Sequence, residues 1–528
     1  MPKRYDLTVV GAGPAGMAAA DRAVRGGLRV ALVDAGAGLG GQYWRQPAPL
    51  SDASARSSVS FSASAKTGPY AGSGHQVTED ETASLHHRLS TFRRLRSRLL
   101  EAADHGTLDL FVRHQVWTAG RADESAQAKP APDDGAQHFV LRAVDQRRTP
   151  DVERGITAAA VVLTTGAYDR SLPFPGWDLP GVLTVGGLQA LLKADSVVAG
   201  GRVAIGGTGP FLLPVASGLA SRGVHVVGIF ESGPATSWLR YSTALPGNGA
   251  RLVEGAGYAA TFARRRIPYR TRSMIVAAHG KDRVEAVTVA RLTGEGHLQP
   301  GSQRRIEVDA VGVGWGFTPQ LDLQLALGCE LAEGPDGSVA TLVDQDQRAS
   351  APGVYVAGEA TGIGGAALAL CEGAAAGEAV CADLGRSTGS ARRAIRRLHS
   401  RRARLQRFAA AMQRAHPVPA GWLEALADDT TICRCEEIPY GSVREVLRRH
   451  GAADARQLKQ LSRVGMGWCQ GRVCGFAADL VTARLTGETP VLRPPPRPVA
   501  TPITLGMLAS ASAEPTAKIS ESGEASDD

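Results

Sequence analysis

The chain has no cysteine before Cys329, although its 528 residues include seven cysteines. A redox-active cysteine pair in the N-terminal half is therefore excluded by residue type. Aromatic residues make up only 5% of the chain and the arginine clusters lack interleaved aromatics, so nucleic-acid binding is not expected. No apolar run approaches the roughly 18 residues of a membrane-spanning helix, and no signal peptide is visible. We expect a cytoplasmic protein with reduced thiols and no membrane span.

Acidic residues are outnumbered by basic ones, 51 against 59, which gives a net charge of +8. Most of the basic residues are arginine. Solvated arginine faces explain the excess most simply, and a basic docking surface for an acidic partner is the alternative. The densest stretch, Arg392–Arg407, is predicted to be a solvated helix between domains, again with partner docking as the alternative.

A glycine-rich loop follows the first predicted strand, Asp6–Val10. The loop is Gly11-Ala12-Gly13-Pro14-Ala15-Gly16, and an alanine-rich helix continues from it. In this order of strand, loop and helix, the glycines let the backbone approach a pyrophosphate, and the helix N-terminus supplies N–H groups for its phosphates. Asp34 ends the next strand, where its carboxylate can accept hydrogen bonds from ribose hydroxyls. The loop therefore predicts a dinucleotide cofactor.

Three later segments favour FAD as that dinucleotide. The run Gly40-Gly41-Gln42 follows the acid, and Thr165-Gly166 ends a buried strand. Gly358-Glu359 resembles the second FAD motif of flavoproteins with two dinucleotide-binding folds, in which an aspartate usually binds the ribityl chain. The predicted cofactor-binding residues are Gly11, Gly13, Pro14, Ala15, Gly16, Asp34, Gly41, Gln42, Val116, Thr165, Gly166, Gly358 and Glu359.

A second glycine loop, Gly207-Thr208-Gly209-Pro210-Phe211-Leu212, lacks the third glycine of the fingerprint. Leu212 stands where a glycine normally lets helix and strand pack closely, which weakens the case for NAD(P)H. This domain binds a nucleotide loosely, binds a different one, or is a structural remnant. No catalytic acid or base can be named, and the lone histidines considered for such a role are His86, His87, His114 and His416.

Four of the seven cysteines lie close together near the C-terminus. Cys433 and Cys435 form a C-x-C pair, and Cys469 and Cys474 form a C-x4-C pair after 33 intervening residues. Four soft thiolates at this spacing favour a 2Fe–2S cluster. A structural zinc is the competing interpretation, but zinc sites usually pair cysteines as C-x2–4-C. The other three cysteines, Cys329, Cys371 and Cys381, are expected to be buried fillers.

These motifs predict an α/β flavoprotein with two Rossmann-like dinucleotide-binding domains and a small α-rich C-terminal 2Fe–2S domain. The expected units are an FAD domain at 1–175 with an insertion at about 51–85, an NAD(P)-like domain at 176–310, the second part of the FAD domain at 311–385, an arginine-rich linker at 386–427, the cluster domain at 428–490 and a Pro-rich, disordered tail at 491–528.

With these residues together, the chain resembles the α, or A, subunits of heteromeric amine and amino-acid dehydrogenases: opine oxidase, hydrogen cyanide synthase and the dye-linked proline and hydroxyproline dehydrogenases. The C-terminal module is similar to 2Fe–2S domains of the bacterioferritin-associated-ferredoxin type. The resemblance rests on Gly11–Gly16, Gly40–Arg45, Thr165–Arg170, Pro175–Trp177, Leu179–Val182, Gly312–Pro319, Gly358–Gly362 and the four cysteines.

The resemblance implies a division of labour between two chains. A separate flavoprotein subunit of the D-amino-acid-oxidase type oxidises the C–N bond of a small amine, and this chain receives the electrons through FAD and the cluster. Some members hold an additional flavin between subunits, so a second nucleotide or flavin is possible here. The insertion at 51–85 departs from the family's usual shorter connection.

Three functions follow from these motifs. The first is an electron-transfer subunit of an amine or amino-acid dehydrogenase. The second is a self-sufficient NAD(P)H-dependent reductase that passes electrons to an Fe–S acceptor, against which Leu212 argues. The third is a zinc-stabilised scaffold protein with vestigial nucleotide folds, which the intact FAD motifs disfavour.

Overall fold

The computed structural model describes residues 3–47, 85–122, 138–148, 152–244, 247, 249–386, 391–452, 454–488 and 499–512. The predicted insertion at 51–85 lies outside the described residues except for Leu85, as does the chain beyond 512. No helix within the described ranges is long and apolar enough to cross a membrane.

The strands are β1 Arg4–Val10, β2 Val30–Asp34, β3 Leu108–Val112, β4 His114–Arg121, β5 Phe139–Asp145, β6 Val152–Leu163, β7 Ala167–Asp169, β8 Val182–Thr184, β9 Arg202–Gly207, β10 His225–Glu231, β11 Tyr269–Arg270, β12 Ser273–His279, β13 Ala286–Arg291, β14 Arg304–Glu307, β15 Ala310–Gly314, β16 Phe317–Pro319, β17 Leu331–Glu333, β18 Val339–Thr341, β19 Val354–Val356, β20 Thr431–Cys433 and β21 Ile438–Pro439.

The α-helices are α1 Pro14–Arg25, α2 Leu89–Asp104, α3 Val185–Asp195, α4 Leu212–Ser221, α5 Gly249–Arg265, α6 Asp322–Ala326, α7 Ala366–Asp383, α8 Ala391–Ala415, α9 Tyr440–His450, α10 Ala455–Ser462, α11 Gly475–Thr486 and α12 Leu505–Ser512. Short 3-10 helices span Ser237–Ala244, Gly358–Thr361 and Ala420–Ala425.

Two separate sheets carry the two glycine loops. The first has seven strands in the order β3-β2-β1-β6-β5-β4, with β19 added beside β6. Strand β1 runs parallel to both β2 and β6, so the first glycine loop leaves the sheet at a topological switch point, where ligands of such folds bind. The second sheet has the order β11-β10-β9-β15-β8. Its strand β15 ends at Gly314, so this sheet extends past the predicted domain boundary at 310.

The region at 171–200 contains strand β8 and helix α3. Helix α3 packs Leu188 and Leu192 into the core of the second nucleotide domain. The sequence signal for this helix is weak because Val185-Gly186-Gly187 opens it, and glycines lower helix propensity. Thr184 supplies the start signal instead, since its hydroxyl accepts a hydrogen bond from the backbone N–H of Gly187 at 3.0 Å.

The arginine-rich helix α8 is not solvated all round, contrary to the prediction for 392–407. Leu405, Phe408 and Ala409 are buried on one face. On the same side the Arg402 guanidinium lies 3.6 Å from the buried carboxylate of Glu372. The helix is therefore amphipathic, and one of its arginines is a structural partner for a buried acid.

The cluster module is built on strands β20 and β21 and helices α9, α10 and α11. Its core residues Val443 and Val481 belong to the same hydrophobic cluster as Met274 and Leu292 of the neighbouring nucleotide domain. The chain then returns to the FAD sheet, where Ala500 is buried and its backbone N–H donates to the Trp117 carbonyl at 2.7 Å. Part of the tail expected to be disordered at 491–528 is therefore ordered.

Helices α1 and α7 lie in direct backbone contact. A β-carbon added at Gly373 would lie 2.0 Å from the Ala15 carbonyl oxygen, and one at Gly377 would lie 2.6 Å from that of Ala19. Only glycine permits this approach, and helix α1 carries the first glycine loop at its N-terminus. The packing of α7 therefore sets the position of that loop.

We expect Gly373→Ala to lower the free energy of unfolding by about 1–3 kcal/mol, because the added methyl group overpacks a closed interface. The same substitution at Gly257 in α5 is the matched control, since nothing lies within 4 Å of a β-carbon there. Chemical denaturation of both variants measures the difference. Equal stability of the two variants would contradict the close contact between α1 and α7.

Candidate cofactor sites

The first glycine loop is closed on one side and open on the other. Gly11 has φ +100°, and a β-carbon there would lie 2.3 Å from the Thr164 carbonyl oxygen. A β-carbon at Gly16 would lie 1.8 Å from the Gly11 carbonyl oxygen. Gly13, in contrast, has nothing within 4 Å on its open side, and no side chain caps the helix that starts at Pro14. The N–H groups of this helix end are thus available to an anionic ligand.

This loop opens into a cavity of 2860 Å³ that both nucleotide domains line. Every predicted cofactor-binding residue lines the cavity except Gly16, which packs against Gly11. The second domain contributes Lys193 and Phe211. The cavity exceeds the roughly 300–1,000 Å³ of ordinary small-molecule sites, so an extended dinucleotide such as FAD can be accommodated.

Asp34 stabilises the first glycine loop by hydrogen bonds. Its carboxylate accepts hydrogen bonds from the backbone N–H groups of Ala12 at 2.5 Å and Gly36 at 2.6 Å. Burial raises the pKa of Asp34, and these two hydrogen bonds oppose that effect. A carboxylate has about four lone-pair sites, so Asp34 can hold the loop and still accept from a ribose hydroxyl.

Glu359 caps the helix beside the second FAD motif. Its carboxylate accepts hydrogen bonds from the backbone N–H groups of Gly365 at 2.8 Å and Gly364 at 3.3 Å, at the start of α7. Behind it lies Glu372, which no motif in the sequence singles out. Glu372 is 1% exposed and accepts from the Gly358 backbone N–H at 3.0 Å. Burial raises the pKa of Glu372, and Arg402 opposes this.

Gln42 and Thr165 both have protein partners on the cavity wall. The Gln42 side-chain oxygen accepts from the Arg45 guanidinium at 3.1 and 2.5 Å. The Thr165 hydroxyl donates to the Gln320 carbonyl at 2.7 Å and accepts from the Gln324 amide at 2.9 Å. These contacts fix the wall on both sides of the cavity.

The second glycine loop is held by an acid in the same way as the first. The Glu231 carboxylate at the end of β10 accepts from the Thr208 hydroxyl at 3.0 Å and from the Gly209 backbone N–H at 2.9 Å. Leu212 is buried, and it packs over Gly314, whose β-carbon would lie 3.1 Å from Leu212. The glycine missing from the loop is therefore compensated by a glycine on the neighbouring strand β15.

His416, which follows the last residue of α8, lies beside Gly209 of this second loop. The His416 ring lies 4.0 Å from the position of a Gly209 β-carbon, and the ring centroid lies 6.0 Å from that of Trp238. Gly209 therefore has a ring of the protein beside it, while Phe211 of the same loop lines the cavity. Of the other histidines predicted to be lone, His87 contacts the Tyr258 hydroxyl at 2.7 Å, and His114 lies buried 3.6 Å from Asp145.

The four cysteines of the C-terminal module converge. The Cys474 thiol contacts the sulfurs of Cys433 and Cys469, and Cys469 contacts Cys435. Gly467 makes room for this, since a β-carbon there would lie 2.2 Å from that of Cys435. Cys433 and Cys474 are buried, whereas Cys435 is exposed. Among the described residues, no set of three or more His, Cys, Asp or Glu side chains is arranged around a single metal ion.

The four cysteines differ in their electrostatics, because the pKa of Cys433 and Cys469 is lowered whereas that of Cys435 and Cys474 is raised. A hydrogen bond from Cys474 lowers the pKa of Cys433 to about 6 and, at the other side, that of Cys469 to about 4. The pKa of Cys474 rises correspondingly, because its proton serves both neighbours. Cysteine sulfur is the ligand of iron–sulfur clusters, and side-chain hydrogen bonds link all four cysteines, so the donor types fit a 2Fe–2S centre. Cys329, Cys371 and Cys381 are buried, as predicted, and burial raises the pKa of each thiol to about 11.

Comparison with known proteins agrees with these two sites. Residues 5–376 match the pyridine nucleotide-disulphide oxidoreductase family, and residues 431–480 match the BFD-like 2Fe-2S binding domain. These matches imply FAD and a 2Fe–2S cluster, as predicted.

Relatives match over most of the chain. Hydrogen cyanide synthase subunit HcnB of Pseudomonas aeruginosa is 34% identical over 71% of this chain and 80% of its own length. The A-subunit of opine oxidase from Rhizobium meliloti is 32% identical over 94% of this chain and 97% of its own length. The alpha subunit of sarcosine oxidase from Corynebacterium is 27% identical over 94% of this chain, which corresponds to 44% of that protein.

Among solved structures, L-proline dehydrogenase from P. horikoshii has the same fold, with a TM-score of 0.63 at 19% identity over 96% of this chain and 79% of that chain. The predicted fold class and the resemblance to subunits of heteromeric enzymes are thereby confirmed. This chain belongs to the pyridine nucleotide-disulphide oxidoreductase family and is an FAD-dependent oxidoreductase with a C-terminal 2Fe–2S domain.

Proposed function

We propose that this chain is the electron-transfer subunit of a heteromeric dehydrogenase that oxidises the CH–NH bond of a small amine or amino acid. The observation that carries the proposal is a direct link between the cluster loop and the wall of the FAD cavity. When bound, FAD accepts electrons in pairs and the 2Fe–2S cluster accepts them singly, so a chain that holds both can connect a two-electron donor to a one-electron acceptor.

The link is the side chain of Arg472, two residues before Cys474. Its guanidinium lies 3.2 Å from the Asp322 carboxylate and also donates to the Ala500 carbonyl. On the cluster side it donates to the Cys469 carbonyl at 3.3 Å. Ala500 lines the cavity, as does Leu323, the residue after Asp322. One guanidinium is therefore bonded to the cluster loop and to the cavity wall at the same time.

Two tryptophans fix the cluster module on the nucleotide domain. The indole N–H of Trp177 donates to the Thr431 carbonyl at 2.7 Å, and that of Trp422 donates to the Pro173 carbonyl at 2.7 Å. The Arg434 guanidinium lies over the Trp177 ring at 5.2 Å. Arg434 stands between the two cysteines of the C-x-C pair, so these contacts hold the cluster ligands themselves.

We infer the chemical class of the electron-donating substrate from the relatives of this chain. Opine oxidase and sarcosine oxidase are named for secondary-amine substrates, which supports a CH–NH donor for this chain. These relatives are themselves parts of multisubunit enzymes, so a partner chain is expected. We propose a flavoprotein partner of the D-amino-acid-oxidase type that oxidises the amine, with both chains in the cytoplasm.

The environment of the second glycine loop argues against a self-sufficient NAD(P)H reductase. The Gly209 N–H is bonded to Glu231, the His416 ring lies 4.0 Å from the position of a Gly209 β-carbon, and Leu212 replaces the third glycine. A dinucleotide pyrophosphate needs the N–H groups of such a loop and open space above it. Electrons are therefore proposed to enter from a partner chain.

We expect Arg472→Met to slow reduction of the cluster by about tenfold or more, because residues that orient cluster ligands typically affect activity to that extent. The midpoint potential of the cluster should shift as well, since Arg472 bonds the carbonyl of a ligand cysteine. Rapid-mixing absorption measurements and redox titration test both expectations. Arg472→Lys keeps the charge, so its rate of cluster reduction and its cluster potential should lie between those of Arg472→Met and of the native chain.

Arg456→Met is the control, because Arg456 is an exposed arginine of the same module. Iron content and FAD content of each variant show whether it assembles. A native rate and a native cluster potential in a fully loaded Arg472→Met protein would remove the central support for the proposal.

The purified chain alone should neither oxidise amines nor accept hydride rapidly from NADH, because it lacks the donor-oxidising partner and its second loop lacks the third glycine of the fingerprint. Anaerobic mixing with NADH, and separately with proline, sarcosine or an opine, followed at the flavin absorption bands, tests this. Rapid bleaching by NADH would establish the reductase instead, and turnover of an amine by the lone chain would contradict the division of labour.

A further inference from the structure

Lys193 is a buried lysine that has no carboxylate partner among the described residues. It lies near the end of α3, is 6% exposed and lines the cavity. Its ammonium group donates to the Tyr43 carbonyl at 2.9 Å and lies 5.6 Å from the centroid of the Tyr43 ring. An ammonium group has three N–H donors, and a buried charge is costly unless it is paired. Donors of Lys193 therefore remain for a group that enters the cavity.

Two further groups face the same stretch of the wall. Arg45, which follows Tyr43 by two residues, lies close enough that its charge, after burial, helps to lower the pKa of Lys193 to about 8. His86 is 6% exposed, and its Nδ1 atom has no hydrogen-bond partner among the described residues. Burial, and then the charge of Lys193, lowers the pKa of His86 to about 4. The His86 Nε2 atom lies 3.3 Å from the Gln46 side-chain nitrogen, and Lys193 is bonded to Tyr43. Arg45 lies between Tyr43 and Gln46 in the chain, with its guanidinium donating to Gln42. All three groups therefore lie along residues 42–46 of the cavity wall.

The neighbouring residues show that this arrangement is specific to Lys193. His87, next in the chain to His86, has the Tyr258 hydroxyl at 2.7 Å and the Glu254 carboxylate at 3.5 Å. Tyr258 in turn donates to Glu254 at 3.0 Å. The exposed imidazole of His87 therefore has a carboxylate beside it, whereas the buried ammonium group of Lys193 has none among the described residues.

We propose that Lys193, Arg45 and His86 form a binding site for the oxyanion group of a small molecule, a phosphate or a carboxylate, bound beside FAD in the same cavity. Lysine binds such a group as a point charge, and arginine can bind it with two parallel hydrogen bonds. The neutral His86 would contribute one further hydrogen bond through Nδ1. The inference depends on FAD lying at the first glycine loop and does not depend on the identity of the redox partner.

The test uses the full chain loaded with FAD, at constant ionic strength maintained with chloride. Inorganic phosphate and acetate are titrated separately, and binding is followed by calorimetry and by the flavin difference spectrum. At least one of them should bind. Tighter phosphate binding would identify a phosphorylated ligand, whereas tighter acetate binding would identify a carboxylate-bearing one.

Lys193→Met should weaken that binding by about tenfold or more, the effect of losing a hydrogen bond to a charged group. Lys193→Arg should retain it to within a few-fold. Lys281→Met is the matched control, because Lys281 is an exposed lysine outside the cavity lining. This variant should bind the anion as tightly as the native chain does. If Lys193→Met does not retain FAD, Arg45→Met supplies the same comparison.

Two results would overturn the proposal. One is that neither anion binds to the FAD-loaded native chain, which would mean that FAD itself satisfies Lys193. The other is that Lys193→Met binds the anion as tightly as the native chain. Neither result depends on electron transfer to the cluster, so failure here is distinguishable from failure of the Arg472 experiment.

Discussion

The structure depends on close backbone approach around helix α1. Its first loop touches the end of strand β6 at Gly11, and its body touches helix α7 at Gly373, in both places with distances that exclude a β-carbon. Because the helix is held on both sides, its N-terminus opens into the cavity at a fixed angle, with Gly13 facing free space. Helix α7 also positions the second FAD motif. The Glu359 carboxylate accepts from the Gly365 N–H just before α7, and Glu372 of α7 accepts from the Gly358 N–H. Two motifs that are more than 340 residues apart in the chain therefore form one wall.

The cluster module is attached to the rest of the protein by polar contacts of residues that neighbour its cysteines. Arg434 and Arg472 each lie within two residues of a cluster cysteine, and each is bonded to another part of the protein, Arg434 to the Trp177 ring and Arg472 to Asp322. From their place in the sequence, these arginines are expected to offset the negative charge of the thiolates. In the structure, these two arginines also hold the cysteine-bearing loops against the nucleotide domain and the cavity wall. The module is thus an integral part of the flavoprotein, with a shared hydrophobic core.

Much of this organisation could be predicted from the sequence because its signals are local. The order of strand, glycine loop, helix and acid at Gly11–Asp34 and the spacing of the four cysteines each identify a ligand type within a short stretch. Long-range packing could not be predicted in the same way. Leu212 in the second loop is accommodated by Gly314, about a hundred residues later, and Arg402 pairs with a buried glutamate of another helix. Lys193 reaches the cavity from a helix whose glycine-rich start conceals it in the sequence, and Ala500 reaches the same cavity from a segment expected to be disordered.

The proposed electron transfer requires that one chain holds both FAD and a 2Fe–2S cluster. The most direct test is a visible absorption spectrum of the purified chain before and after dithionite, together with assays of iron and zinc. We expect flavin bands with additional broad absorbance at longer wavelength, both lost on reduction, and about two irons per chain, as a four-thiolate 2Fe–2S centre requires. Flavin bands with zinc and no iron would contradict it, because the four cysteines would then be a structural site and the electrons would have to leave the flavin by another route.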